Sequence, residues 1–230
     1  MADFMSSSLF GAVALSLITY MIGMWLKKKF KLGIFNPLLI AIVLSIIFLL
    51  LTGTDYDSYN VGGKYLSWFL TPATVCLAIP LYEQWNLLKR NYKAVLIGIA
   101  SGVLTSLVSI TVMCLLLGLS HTDFVTLLPK SITTAIGMGV SEELGGYVTI
   151  TVAVIVTTGI LGNIFGELLC KIFRIDHPVA KGIAYGTASH AIGTAKALEI
   201  GETEGAMSGL SIAVSGVLTV ILAPIFAGLL

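Results

Sequence analysis

The chain is poor in charge. Lysine and arginine number 13 and aspartate and glutamate 12, together 11% of 230 residues, where a soluble domain carries about a quarter. The near balance leaves a net charge of +1, which excludes the basic surface a nucleic-acid partner requires. Cysteine is scarce too. Cys76, Cys114 and Cys170 all lie in apolar runs, so neither a disulfide framework nor a metal site is expected, and the thiols read as small buried hydrophobes. Walker loop, dinucleotide fingerprint, zinc-ligand spacing and nucleophile–base pattern are all missing, so neither catalysis nor a cofactor is expected. Met1 to Ser8 place no basic group before the first apolar run. That beginning reads as a first membrane helix, not a cleaved signal peptide.

Apolar residues are abundant: 57% of the chain, with a mean hydropathy of +0.98. The lipid bilayer is therefore the expected environment, and a spanning helix needs about 20 apolar residues. Spans are expected over Ser8 to Leu26, Ile34 to Leu51, Ala94 to Leu119, Tyr147 to Phe173 and Ala206 to Leu230. Pro37 is tolerated in the first turn of the second span, and Gly98 and Gly102 are spaced for close packing in the third. Tyr65 to Glu83 is apolar but interrupted by Pro72 and Pro80, and reads as a broken or re-entrant helix. Leu127 to Gly146 is too polar to face lipid. The expectation is an all-α polytopic membrane protein of about 6–8 membrane segments.

Two structurally related halves, residues 1–115 and 116–230, emerge when the chain is shifted on itself. Ser101-Gly102-Val103-Leu104-Thr105 returns as Ser215-Gly216-Val217-Leu218-Thr219, and Thr71 to Glu83 falls on Thr187 to Glu199. Matching interrupted segments in two halves are how many secondary transporters build a midplane site. The positive-inside rule places Lys27 to Lys31 and Lys171 to Lys181 in the cytoplasm. Inverted halves, the reading preferred, leave Lys89, Arg90 and Lys93 outside, against that rule.

The polar stretch Gly186-Thr187-Ala188-Ser189-His190-Ala191-Ile192-Gly193-Thr194-Ala195-Lys196 stands between apolar segments. On a regular helix Thr187, His190 and Thr194 share a face that offers hydroxyl and imidazole donors to a small anion. Gly186, Ser189, Gly193 and Lys196 form a packing side. Gly186 and Gly193 also permit a backbone break that exposes amides to a carboxylate, so Ser189 and Gly193 are counted with the candidate site. His190 is also suited to proton relay. The plainer alternative is hydrogen bonding between neighbouring helices. Ser131, Thr134 and Glu142 fall on one helical face, and Lys130 would attract an anion or simply snorkel. Glu142 or Glu143 could bind a coupling proton or cation, but a solvated pair at the membrane boundary is the reading preferred. Thr71 and Thr74, with the freed backbone at Pro72 and Pro80, form a counterpart wall or a kinked structural helix. Asn163, Glu167 and Lys171 suit a local salt bridge.

Several stretches carry a family resemblance. Pro72-Ala73-Thr74-Val75-Cys76-Leu77-Ala78-Ile79-Pro80-Leu81-Tyr82, Pro129-Lys130-Ser131-Ile132-Thr133-Thr134, Ser141-Glu142-Glu143-Leu144-Gly145-Gly146, His177-Pro178-Val179-Ala180-Lys181-Gly182 and Gly186 to Ala195 resemble elements of the LrgB/CidB family, in order along the whole chain. Ala135, Gly137 and Gly139 depart from the family pattern, which bears on fine solute selectivity. The resemblance implies a bacterial inner-membrane protein. It also implies either antiholin-like regulation of murein hydrolases and lysis beside a small LrgA/CidA-like membrane partner, or movement of a small carboxylate. The chloroplast glycolate/glycerate translocator resembles the two proteins fused. Secondary transport of a glycolate-, glycerate- or pyruvate-like monocarboxylate agrees with the polar stretch and is the expectation preferred, with the antiholin-like regulator as its rival. A homo-oligomer is compatible with either.

Overall fold

The structure is a computed structural model. It describes residues 9–30, 35–69, 72, 75, 76 and 78–230. Helices joined by turns and short loops make up the described residues, and contacts divide the chain into two compact units, Met1–Cys76 and Leu77–Leu230, each described by itself below.

The first unit holds α1 (Leu9–Phe30), α2 (Pro37–Thr52) and α3 (Tyr56–Ser67). The α1 helix runs past the expected stop at Leu26 and takes Lys27, Lys28 and Lys29 into its last turn, where cations favour the negative end of the helix dipole. Asn36 begins α2: its Oδ1 accepts from the Leu38 and Leu39 amides at 2.9 and 3.2 Å, with Pro37 at the first helical position, where a missing N–H costs nothing. Gly53, at φ 64°, ends it. Part-buried hydroxyls join the three helices: Thr19 Oγ1 lies 3.2 Å from Ser45 Oγ, and Ser16 Oγ lies 2.7 Å from the Tyr59 hydroxyl.

Tyr65 to Glu83 is interrupted as expected, but the described turn stands ahead of both prolines: α3 ends at Ser67, a turn follows at Trp68 and Phe69, and α4 covers Ala78–Glu83 with Pro80 in its first turn, where proline is tolerated. Thr71 and Thr74 lie outside the described residues.

The second unit holds α4, α5 (Trp85–Leu117), α6 (His121–Leu127), α7 (Thr134–Glu143), α8 (Val148–Ile172), α9 (Pro178–Ile200) and α10 (Glu202–Ala227). Nothing between Trp85 and Ala94 breaks a helix, so α5 begins earlier than the apolar span. At 33 residues it is about 50 Å long, against a hydrocarbon core of about 30 Å. The excess carries the exposed Lys89, Arg90 and Lys93 beyond the apolar stretch. Val95, Ile99, Val103, Leu107, Ile110 and Cys114 form its buried stripe, spaced at the period of one helical face. They pack on Phe124, Val125, Leu128, Ile132 and Val140 of the α6–α7 region and on Ala206, Met207 and Ala223 of α10. Only 33% of the α5 apolar window is buried, so the rest of its leucine, isoleucine and valine surface is left for lipid.

Among the described residues four helices are long and apolar enough to cross a membrane: Phe10–Phe30, Trp85–Leu117, Val148–Ile172 and Glu202–Ala227, with Pro37–Thr52 shorter. This is a polytopic all-α membrane protein. The polar Leu127 to Gly146 segment does not span. It folds into the turn after α6 and the short α7, and α7 at 10 residues rises only about 15 Å. Ser120 and Asp123 cap α6 reciprocally. The α7 helix ends in paired bonds from the Gly146 amide to the Ser141 carbonyl (2.7 Å) and from the Gly145 amide to the Glu142 carbonyl (3.2 Å), with Gly145 at φ 80°. Only glycine adopts that backbone cheaply. Thr151 Oγ1 then donates to the Thr126 carbonyl (2.9 Å) and sits 2.7 Å from Ser141 Oγ, while the Tyr147 amide donates to Thr126 Oγ1 (2.8 Å). A methyl on Gly146 would lie 3.0 Å from that Thr126 oxygen. The serine and glycines of the Ser141–Gly146 motif therefore fasten α6, α7 and α8 together. Of the three cysteines, Cys114 and Cys170 are buried as expected, whereas Cys76 is exposed; all three are free thiols.

Candidate functional site: a groove beside a broken helix

The polar stretch lies on α9, which is not one regular helix. Ser189 (φ −135°, ψ 15°) and His190 (φ 42°, ψ −139°) leave helical geometry. The break thus falls between the two glycines expected to permit it, on a histidine whose positive φ costs about 1–3 kcal/mol. Its surroundings compensate. The Ile155 carbonyl of α8 lies 2.9 Å from His190 Nε2. A carbonyl only accepts, so Nε2 carries the proton and donates. Asn163 Nδ2 of α8 donates to the Ile192 carbonyl at 3.0 Å. Thr194 Oγ1 donates to the His190 carbonyl at 3.0 Å and lies 2.6 Å from Ser208 Oγ of α10, which leaves the Ser208 hydroxyl as donor in that pair.

Glycines on α8 provide the room. A methyl on Gly159 would sit 2.7 Å from His190 Cε1, one on Gly162 would overlap Ser189, and one on Gly166 would meet the Tyr185 ring at 2.5 Å. On the other flank, Gly182 and Gly186 admit the backbone of α10 at Glu204 and Ser208. Gly193 stands 2.7 Å, measured from an added methyl, from the Tyr185 carbonyl, so the second half of α9 can restart close to the first. Small residues let membrane helices approach closely enough for such hydrogen bonds.

A cavity of about 770 Å³ opens between α5, the α6–α7 turn and the first half of α9. From α5 come Asn91, Ser101, Thr105, Ser106 and Ser109; from the turn, Lys130 and Ser131; from α9, Thr187 and Ala188, with His177 just before that helix. Gly98 and Gly102 face Ile183 and Thr187 of α9, the close packing expected from their spacing. The Lys130 ammonium donates to Ser131 Oγ at 2.8 Å, and that oxygen lies 3.3 Å from Ser106 Oγ. No carboxylate lines the groove among the described residues, so Lys130 gives it a positive end.

The structure divides the candidate residues. Lys130, Ser131 and Thr187 meet on the groove. Ser189, His190, Gly193 and Thr194 are buried in the contacts of α9 with α8 and α10, and none lines the groove. The face expected to join Thr187, His190 and Thr194 presumed a regular helix, and the break at Ser189 and His190 rotates its two ends apart. Likewise Ser131, Thr134 and Glu142 do not share a helical face. Thr133 is extended and α7 starts only at Thr134, which leaves Ser131 in the preceding turn and Glu142 exposed in the last turn of α7. The amide end of the second half of α9, at Ala191 to Gly193, also does not line the groove. The α5 hydroxyls were not singled out from sequence. Their signal is Ser101, Thr105 and Ser109 four residues apart on an otherwise apolar helix.

Comparison with known proteins bears on what this arrangement belongs to. The model of the LrgB-like family matches residues 16–229. The chain belongs to the LrgB-like family. Relatives named antiholin-like protein LrgB, from Bacillus mycoides (strain KBAB4), Bacillus cereus (strain B4264) and Bacillus anthracis (strain CDC 684 / NRRL 3495), are each 41% identical over 215 residues, 93% of this chain and 94% of theirs. No solved structure matches. The groove, the broken α9 and the Ser141–Gly146 turn all lie inside the stretch matched by the LrgB-like family.

Proposed function

We propose that this chain is an antiholin-like protein of the bacterial cytoplasmic membrane, restraining murein hydrolase activity and lysis together with a small LrgA/CidA-like membrane protein. The observation that carries it is identity of 41% across 94% of relatives named antiholin-like protein LrgB. The test is a deletion strain complemented by plasmid copies, with autolysis rate and murein hydrolase zymograms as readouts, in the presence and absence of the small partner gene. Unchanged autolysis after deletion would defeat this reading.

A second reading draws on the groove: secondary transport of a small monocarboxylate of the glycolate, glycerate or pyruvate kind. An open cavity of about 770 Å³ with one ammonium, a row of hydroxyls and no lining carboxylate suits a small anion, and a broken helix beside it suits alternating access. Residues 1–115 and 116–230 would be the two halves, with the α9 break in the second. Lys130→Met and Thr187→Val separate the readings, because they alter the groove and keep side-chain volume. A pure regulator tolerates both. A transporter reconstituted in liposomes, with the small partner present, loses about 10-fold or more of carboxylate counterflow with Lys130→Met, as befits removal of a charge-assisted hydrogen bond. Counterflow unchanged by Lys130→Met removes the groove from consideration.

A further inference from the structure

A second, smaller cavity of about 90 Å³ lies at the C-terminal end of α8, lined by Glu167, Cys170, Lys171, Asp176, Lys181 and Tyr185 among others. Tyr185 is 3% exposed, and its hydroxyl has no hydrogen-bond partner among the described residues. Gly166 makes the space for it: a methyl there would stand 2.9 Å from that oxygen. A buried hydroxyl without a partner is unfavourable, and the cavity beside it, though partly apolar at Ile175 and Ile200, offers charged groups of Glu167, Lys171, Asp176 and Lys181 as the polar partners that an internal water needs. At about 30 Å³ per molecule in the liquid, the space admits about three waters. Two carboxylates face two ammonium groups, so the lining has no net charge to select a bare ion, and its charges exclude an acyl chain.

We infer that this cavity is an internal hydration site whose ligand is a small water cluster. The cluster enters past the exposed Lys171 and Asp176, accepts the hydrogen bond of the Tyr185 hydroxyl and donates to the Glu167 carboxylate. Glu167 is itself paired with Lys171 at 3.3 Å and with Lys196, 21% exposed, at 3.6 Å. The water therefore links the half-exposed Glu167 carboxylate, on the Lys171 to Lys181 side, to the buried Tyr185 hydroxyl. This inference does not depend on either reading of the cellular function.

Cys170 is a built-in reporter, and Cys114, buried in the apolar core of the second unit, is its control. The full chain carrying Cys76→Ala, in lipid nanodiscs, is treated with methyl methanethiosulfonate, and the two cysteine peptides are quantified over time by mass spectrometry. The hydrated thiolate attacks the methylthio sulfur of the reagent and expels methanesulfinate, leaving a mixed disulfide, so Cys170 is expected to react about 10-fold faster than Cys114 or more. Equal rates would overturn the proposal. Tyr185→Phe gives an independent reading, since it keeps the ring and deletes the hydroxyl. A bonded hydroxyl predicts a Tm lower by roughly 2–4 °C, and a Tm equal to or above that of the parent would overturn it.

Discussion

Gly159→Ala tests the account of the broken helix most directly. The added methyl would stand 2.7 Å from His190 Cε1, 2.8 Å from Nε2 and 2.8 Å from Ile192 Cδ1, closer than carbon and nitrogen atoms approach without repulsion. Overpacking of a filled site costs about 1–3 kcal/mol. Displacing the imidazole also breaks its bond to the Ile155 carbonyl and strands a buried donor, at about 1–3 kcal/mol. Alanine returns at most about 1 kcal/mol through its better helix propensity. The expected net loss is about 3–4 kcal/mol when both terms are centred in their ranges. Gly139→Ala is the control: it too lies in a helix, but a methyl there meets nothing within 4 Å, so only the propensity term remains and stability rises by a fraction of a kcal/mol, up to about 1. Thermal unfolding of purified protein in one detergent, followed by intrinsic fluorescence, compares the two. Adding His190→Ala to Gly159→Ala removes the colliding ring, so the double variant loses less than the two singles summed. A Gly159→Ala protein as stable as its parent, or additive behaviour in the double variant, refutes the packing argument.

Three further outcomes are measurable in the same assay. Gly145→Ala puts a side chain at φ 80° and lowers stability by about 1–2 kcal/mol. Thr151→Val removes the donor to the Thr126 carbonyl and the neighbour of Ser141, at about 1–3 kcal/mol. Lys171→Ala deletes an i,i+4 ion pair whose side chains are 72% and 52% exposed; exposed pairs contribute about 0–1 kcal/mol, so stability moves little, and a large loss would mean that the pair is more shielded than its exposure indicates.

The membrane spans are legible in the sequence because bilayer insertion depends on summed hydropathy over a long window, and Val148–Ile172 stands almost where its composition places it. Interruption of Tyr65 to Glu83 is legible, but its place is not: the described turn stands at Trp68 and Phe69, and Pro80 lies within the first turn of α4. Where α9 breaks is not legible. Gly186 and Gly193 are the locally permissive residues, yet the distortion falls on His190 because the Ile155 carbonyl and the space above Gly159 lie on another helix. The same holds for Ser141: its hydroxyl partner Thr151 stands on α8 and itself bonds the Thr126 carbonyl of α6, so a motif whose glutamates are exposed also holds three helices. Lys130, Ser131 and Thr187 were selected for chemistry and do meet in space. His190 and Thr194 were selected for the same chemistry and are consumed by packing. A glycine row at 159, 162 and 166 carries its own signal, small residues on one face of an apolar helix, and it identifies α8 as the neighbour that α9 leans on.

That row has a consequence for how the chain can drift in sequence. Each α8 glycine stands opposite one α9 side chain: Gly159 with His190, Gly162 with Ser189, Gly166 with Tyr185. Neither member of a pair can grow unless the other shrinks, so accepted changes should arrive as compensated couples. In an alignment of relatives, positions 159 and 190, 162 and 189, and 166 and 185 are expected to covary, and a lineage that has lost the glycine at 166 should also have traded the tyrosine at 185 for something smaller.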